Sequence, residues 1–224
     1  MVSWAACRPF VRHGAAAGDS QACHCWARTV GGGHSVRVCV FTGASRGSRP
    51  GHAEAVEQFG SELAHRGHGL VYGGGHVGLM GVLADAVLAG GGEVIGVIPQ
   101  QLMDRELAHH GISDLQVVPD MHVRKAQMAQ QADAFVAMPG GIGTMEELFE
   151  VWTWAQLGLH SKPIGALNVH GFFDHLLAFC DQLVGDGFLP AASRAHLVLG
   201  TDAVALLDAL KDARGLVDRW GSGG

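Results

Sequence analysis

Short, almost wholly apolar runs alternate with helix-length amphipathic segments from residue 36 to residue 212, and glycine turns follow several of the runs. Such runs read as strands buried on both faces, because a strand with one wet face would alternate polar and apolar side chains. Strands are expected at 36–41, 69–72, 93–98, 115–118, 134–138, 163–169 and 196–199. Helices are expected at 53–65, 78–89, 101–110, 123–132, 144–157, 172–184 and 203–212. Strict alternation of this kind predicts an α/β fold, a doubly wound parallel sheet with helices on both faces. In such folds ligands bind beyond the carboxyl ends of the strands. The glycine turns at 73–75 and 140–143 fall at those ends.

Composition narrows the class. With 224 residues, 48% hydrophobic and 16% charged, the chain can bury one substantial core but is marginal for two. A net charge of -6 excludes a general nucleic-acid binder, which needs a basic face. No apolar stretch reaches the roughly 18–20 residues that span a bilayer. Five irregularly spaced cysteines argue against a disulfide framework and for a reducing, cytoplasmic setting. Cys23-His24-Cys25 has no second ligand pair at a finger-like distance, so no metal is expected. Residues 1–34 lack periodicity and end in Gly31-Gly32-Gly33, which reads as a disordered extension before a single domain at 35–224.

Three motifs carry the chemistry. The first is Pro139-Gly140-Gly141-Ile142-Gly143-Thr144-Met145-Glu146-Glu147, set between an apolar run and an amphipathic one. That is a strand, a glycine turn and a helix start, where free backbone N–H groups form an anion site suited to phosphate. Glu147 then stands one turn into the helix. The same letters also fit a capping box, with Thr144 as cap and Glu147 reaching back to a backbone amide.

The second motif, Gly73-Gly74-Gly75-His76-Val77-Gly78, matches G-x-G-x-x-G, with Glu93 near the ribose-binding distance. It follows the second strand rather than the first, which weakens a dinucleotide reading. Phosphate or ribose contact by Gly74 and Gly75, or plain helix-to-strand packing, are the other readings. The third motif is Met121-His122-Val123-Arg124-Lys125. Two cations in a helix's first turn oppose its dipole, so Arg124 and Lys125 are either solvated or facing an anion at the neighbouring strand end. Ser45, in the loop after the first strand, is a candidate contact to base or ribose, or an ordinary turn residue. Trp152 and Trp154 cannot share one helix face, so one belongs to the core and the other to a partner surface or pocket wall.

Together these motifs resemble the LOG (lonely guy) family, the cytokinin riboside 5'-monophosphate phosphoribohydrolases, also labelled lysine decarboxylase-like. The resemblance rests on the run from Pro139 to Glu147, on Met121-His122-Val123-Arg124-Lys125, and on Tyr72-Gly73-Gly74-Gly75 with Gly78-Leu79-Met80-Gly81. It covers residues 36–190. It implies a Rossmann-like fold and hydrolysis of the N-glycosidic bond of nucleoside 5'-monophosphates, AMP included, without cofactor or metal. It further implies Arg124 and Glu147 as the catalytic pair. Substrate contacts would come from Glu106, Lys125, Gly141, Ile142, Gly143, Thr144, Met145, Glu146 and Thr153. A homodimer is implied as well. One departure is His52, where relatives carry a tyrosine shortly after the proline of the first loop. A nucleotide- or molybdopterin-type carrier that does not turn its ligand over is the alternative of a different class.

Overall fold

The structure is a computed structural model that describes residues 36–105 and 107–213. The extension at 1–34, with Cys23-His24-Cys25, and the candidate contact Glu106 lie outside the described residues.

Seven strands form one parallel sheet: β1 Arg37–Phe41, β2 Gly69–Tyr72, β3 Val94–Pro99, β4 Asp114–Val118, β5 Ala134–Ala137, β6 Ile164–Leu167 and β7 Leu197–Gly200. Their order is β4-β3-β2-β1-β5-β6-β7. The chain therefore walks outward from β1 to β4, returns to the centre at β5, and walks outward on the other side. The doubly wound parallel sheet read from the sequence is what forms. Central β1 pairs Val38 with Leu70 on one side and with Ala134 on the other. Its Val38 and Cys39 are fully buried, as two-sided helix cover requires.

The helices are α1 Pro50–His65, α2 Gly78–Ala89, α3 Gln100–Met103, α4 Met121–Gln131, α5 Ile142–Gln156, α6 Asp174–Gly185, α7 Ala191–His196 and α8 Ala203–Asp212. One face is covered by α1, α2 and α8, through Val56, Phe59, Leu83, Val87, Leu206 and Leu210. The other is covered by α4, α5 and α6, through Met128, Leu148, Val151, Trp152 and Leu177. Trp152 is the buried tryptophan of α5 and donates its indole N–H to Ser193 O at 2.9 Å; Trp154 is only partly buried.

Two expected elements end short of the reading, while other boundaries shift by up to three residues. The helix read at 101–110 stops after one turn, and the chain continues as a strap along the Gly73–Gly75 turn. His76 N donates to Leu107 O at 3.0 Å and His109 N to Gly74 O at 2.8 Å. Backbone pairing with a buried turn satisfies more polar groups than a helix with few apolar contacts would. The strand read at 163–169 ends at Leu167, because Asn168 leaves the extended backbone and its side chain accepts from Phe173 N at 2.8 Å. The short α7 had no periodic signal.

The second turn is held by Gly78, which sits at φ 64° where α2 begins. A Cβ there would lie 2.2 Å from the backbone carbon of Ala44. The contact brings the start of α2 onto the first loop, where Leu79 N donates to Gly43 O at 3.0 Å. Gly78→Ala combines a left-handed φ with a backbone clash. It should destabilise the protein by about 2–4 kcal/mol in chemical denaturation. A loss under ~0.5 kcal/mol would show that the loop contact is dispensable.

Candidate functional site

Beyond the carboxyl ends of β1 and β5 the chain leaves the sheet in opposite directions. The two exits are bonded to each other: Gly43 N donates to Pro139 O at 3.2 Å, and the buried Thr42 hydroxyl to the same oxygen at 3.0 Å. Between them opens a hollow of about 560 Å³, lined by residues 43–48, His52, Leu79, residues 139–141 and Phe172. This is the topological switch point, where open α/β sheets bind ligands, and the volume suits a small molecule.

One wall is the start of α5. Gly141 is its N-cap residue and supplies no side-chain cap, while Met145 N donates to Gly141 O at 3.2 Å. The amides of Ile142, Gly143 and Thr144 precede that donor, so they have no acceptor within the helix. Gly141, Ile142 and Gly143 are exposed and Thr144 is buried. The capping-box reading therefore gives way. Thr144 lies inside the first turn rather than ahead of it, and the helix start is left open toward solvent. Gly140 lies against Thr144: a Cβ on it would stand 2.1 Å from the Thr144 hydroxyl.

Behind this turn are two buried ionisable side chains. Arg124 is 9% exposed and Glu147 is 9% exposed, with Arg124 Nη2 3.7 Å from Glu147 Oε1. Arg124 comes from α4, whose start is capped by Asp120 accepting from His122 N and Val123 N at 2.8 and 2.9 Å. That carboxylate offsets the cost of cations in the first turn. Arg124 Nε donates to Val97 O at 3.1 Å, and a Cβ on Gly73 would lie 1.9 Å from Arg124 Nη2. Gly73 thus leaves the space that the guanidinium fills. Burial pushes the Glu147 carboxyl above its ordinary range, Arg124 opposes this, and Glu146 adds to it.

The remaining expected residues divide. Lys125 Nζ pairs with Glu146 and stands 3.0 Å from Glu150 Oε2. Burial draws its pKa down, but bonds to Glu146 and Glu150 carry it above the usual lysine value. Ser45 is exposed on the hollow, and its hydroxyl accepts from Gly47 N at 3.3 Å, so turn chemistry and an accessible position coexist. Met145 packs on the second core. Thr153 is exposed six residues beyond Glu147 on α5; like Arg124 and Glu147, it is not among the residues that line the hollow. Gly74 and Gly75 are buried beneath the strap, which takes the Gly74 carbonyl and the His76 amide. The turn packs against the strap and against Arg124. Glu93 precedes β3 at the opposite end of the sheet and pairs with Arg37 at 3.0 Å, so the ribose reading of that acid does not hold.

Sequence reasoning missed Val97 as the acceptor of Arg124, Glu150 as a partner of Lys125, and Leu79 and Phe172 as walls of the hollow. Phe172 enters from the connection after β6, and no local pattern signals that. His52, marked as a departure, proves to be buried on the hollow's wall, 5.5 Å edge-on from the Phe172 ring. Burial first, then His170 and Arg49, lowers its pKa, which keeps it neutral at pH 7.

A family profile described as "Possible lysine decarboxylase" matches residues 80–210. The cytokinin riboside 5'-monophosphate phosphoribohydrolase LOG7 of Arabidopsis thaliana is 52% identical over 176 residues, 79% of this chain and 81% of that protein. The probable cytokinin riboside 5'-monophosphate phosphoribohydrolase LOGL9 of Oryza sativa subsp. japonica is likewise 52% identical, over 79% and 78% of the two chains. Among solved structures, the molybdenum cofactor binding protein of Rippkaea orientalis superposes with a TM-score of 0.62 at 18% identity. It covers 80% of this chain and 97% of its own. That likeness shows the fold alone.

The space at Gly73 generates a test. In Gly73→Ala the clash falls on the end of a flexible side chain, so the fold should survive with its melting temperature lowered by only a few degrees. The guanidinium should be pushed off Glu147. In carboxyl-labelled NMR, Glu147 should then titrate at higher pH than in the wild type; an unmoved titration would count against the contact.

Proposed function

The chain belongs to the LOG family of cytokinin riboside 5'-monophosphate phosphoribohydrolases, and from that membership we propose that it hydrolyses the N-glycosidic bond of such nucleotides, AMP among them. The products are the free base and ribose 5-phosphate. The observation that carries the reading is the buried Arg124–Glu147 pair, held beside an uncapped helix start at the switch point.

Cleavage puts positive charge on the ribose ring and negative charge on the departing base. We assign the 5'-phosphate to the amides at the start of α5, with Gly140 as the close backbone approach and Ser45 at the facing loop. Glu147 faces the ribose, where its carboxylate stabilises the cationic ring and takes a proton from the attacking water. Arg124 stays charged at every working pH and donates to the base as it leaves, which then takes up a proton. Water adds to the anomeric carbon as the carbon–nitrogen bond breaks, and no cofactor enters. Binding energy from the unreacting phosphate supports the chemical step, so adenosine should lose kcat as well as affinity.

Decarboxylation is disfavoured by the same residues. That chemistry needs pyridoxal phosphate on an available lysine. Of the three lysines, Lys125 is held by Glu146 and Glu150, Lys162 Nζ donates to Ala129 O at 2.7 Å, and Lys211 is exposed on α8. A carrier role has only fold likeness behind it and gives the Arg124–Glu147 pair nothing to do.

We further infer a homodimer in the cytoplasm. Phe149, 36% exposed on α5, and the exposed Leu157 and Leu159 beyond the helix's end are apolar side chains that a second copy would cover. The buried free thiols of Cys39 and Cys180 suit a reducing compartment. Light scattering on the full chain should give twice the chain mass; a monomer at micromolar concentration would remove this inference. No helix among the described residues is long and apolar enough to cross a membrane.

Purified protein incubated with AMP or N6-isopentenyladenosine 5'-monophosphate should release free base. Glu147→Gln should lower kcat by about 100-fold or more, and Arg124→Ala should lower kcat rather than raise KM alone. Because burial lifts the Glu147 carboxyl above its ordinary 4.5, and the ionised form is required, turnover should fall as pH drops through that raised value. An acid limb at or below the ordinary glutamate range, or near-normal turnover by Glu147→Gln, would overturn the assignment.

A further inference from the structure

His52, in the first turn of α1, is only 8% exposed, yet its imidazole has no hydrogen-bond partner among the described residues. A buried polar group left unpaired is costly and calls for a reason. The ring is nonetheless held in place. Phe172 meets it edge-on at 5.5 Å, and the His170 ring lies 6.0 Å away. His170 reaches that position from a left-handed backbone, φ 52°, and over Gly51, where a Cβ would stand 2.4 Å from its Nε2. His52 Nδ1 is turned toward Gly47, on which a Cβ would lie 3.5 Å away. Gly47 and His52 both line the hollow, with Gly140 and Gly141 across from them at the open start of α5. The lining is one-sided in charge: it contains Arg46 and His52 but no carboxylate, in a chain of net charge -6. An imidazole without a partner, opposite amides without an acceptor, suits a guest rich in anionic oxygens.

We propose that His52 is a binding residue for the 5'-phosphate, donating from the α1 side of the hollow to the oxygens that the α5 amides hold from the other side, and taking up a solvent proton as the phosphate enters. The inference rests on the placing of the sugar phosphate in this hollow under the hydrolase reading above. The proton returns to solvent when the product leaves. The charged or titratable groups facing His52 are Arg49 from the first loop and His170 from the connection after β6, and Arg46 shares the wall. From α2 comes only Leu79, and from the turn after β5 only Pro139, Gly140 and Gly141. Before the phosphate enters, burial, His170 and Arg49 all favour the neutral ring. A dianion beside the ring reverses that balance. The bound form then holds its proton to higher pH than the free form does. Its contribution to binding is therefore full at low pH and lost as pH rises through the bound value.

The test follows the His52 ring of the full chain by imidazole NMR, with ribose 5-phosphate as probe and ribose as control. Saturating ribose 5-phosphate should raise the His52 titration midpoint by about one pH unit or more, and ribose should leave it in place. Dissociation constants of ribose 5-phosphate are then compared for wild type, His52→Phe, which keeps a ring against Phe172, and His52→Asn, which keeps a donor that does not titrate. The ligand's own ionisation is common to all three, so the ratio of variant to wild type isolates the imidazole. His52→Phe should bind about tenfold more weakly at pH 6, with the gap closing severalfold by pH 8. His52→Asn should match wild type at pH 8 and fall behind it at pH 6. A midpoint that ribose 5-phosphate does not move, or that ribose moves equally, would overturn the proposal, as would ratios that are flat with pH. If the midpoint moves but wild type releases no base from AMP, His52 stands as an anion-binding residue and the hydrolase reading fails. If base is released with His52 unmoved, the hydrolase reading stands and this inference falls. Should neither variant fold, the wild-type titration alone decides.

Discussion

Everything in this molecule depends on the reversal of winding direction between β1 and β5. The chain leaves two adjacent parallel strands toward opposite faces, and the exits must separate. Here they separate only after Gly43 N and the Thr42 hydroxyl have bonded Pro139 O. Those bonds bring the first loop and the glycine turn onto a common rim. From the rim, helix α1 runs to one face and α5 to the other. The hollow and the open helix start follow from that parting, and α4 brings Arg124 to Glu147 behind the same turn.

The ion pair costs stability in itself. Two charged groups withdrawn from water recover the penalty only with good geometry and further bonds. Arg124 donates to Val97 O and, weakly, to Met121 Sδ, and stands 3.7 Å from Glu147, while Glu147 is pushed toward its neutral form by burial. A hydrophobic pair in those positions would stabilise the fold more. Such a strained arrangement at a switch point is where a site, rather than a core, is to be looked for. The cations themselves are tolerated at the start of α4 because Asp120 caps it and because α5 presents three acids opposite.

The glycine turn after β2 illustrates how the same letters serve two ends. Its resemblance to a dinucleotide fingerprint comes from three closely spaced glycines. In the fold, Gly73 makes room for a guanidinium, Gly74 and Gly75 lie under the strap at 107–109, and Gly78 meets the first loop. Each of these approaches is to the protein's own atoms. Backbone crowding by protein and backbone crowding by ligand demand the same residue, so the motif does not distinguish them.

Strand identity and the two-faced sheet were legible because burial on both faces leaves β1 after Arg37, and all of β2 and β5, almost wholly apolar. The family motifs identified Arg124 and Glu147, and the amide turn between β5 and α5 could be read from a strand followed by glycines. Residue order alone could not say that Lys125 pairs with Glu146 and Glu150, that Thr144 lies inside its helix rather than capping it, or that residues 107–109 run as a strap along the turn after β2. It also gave no sign of Phe172 beside His52. Those outcomes turn on contacts between segments far apart in the chain, where competing local preferences are nearly equal and packing against a distant element tips the balance. Periodicity determined which residues face the core; only the folded arrangement decided which charges face each other.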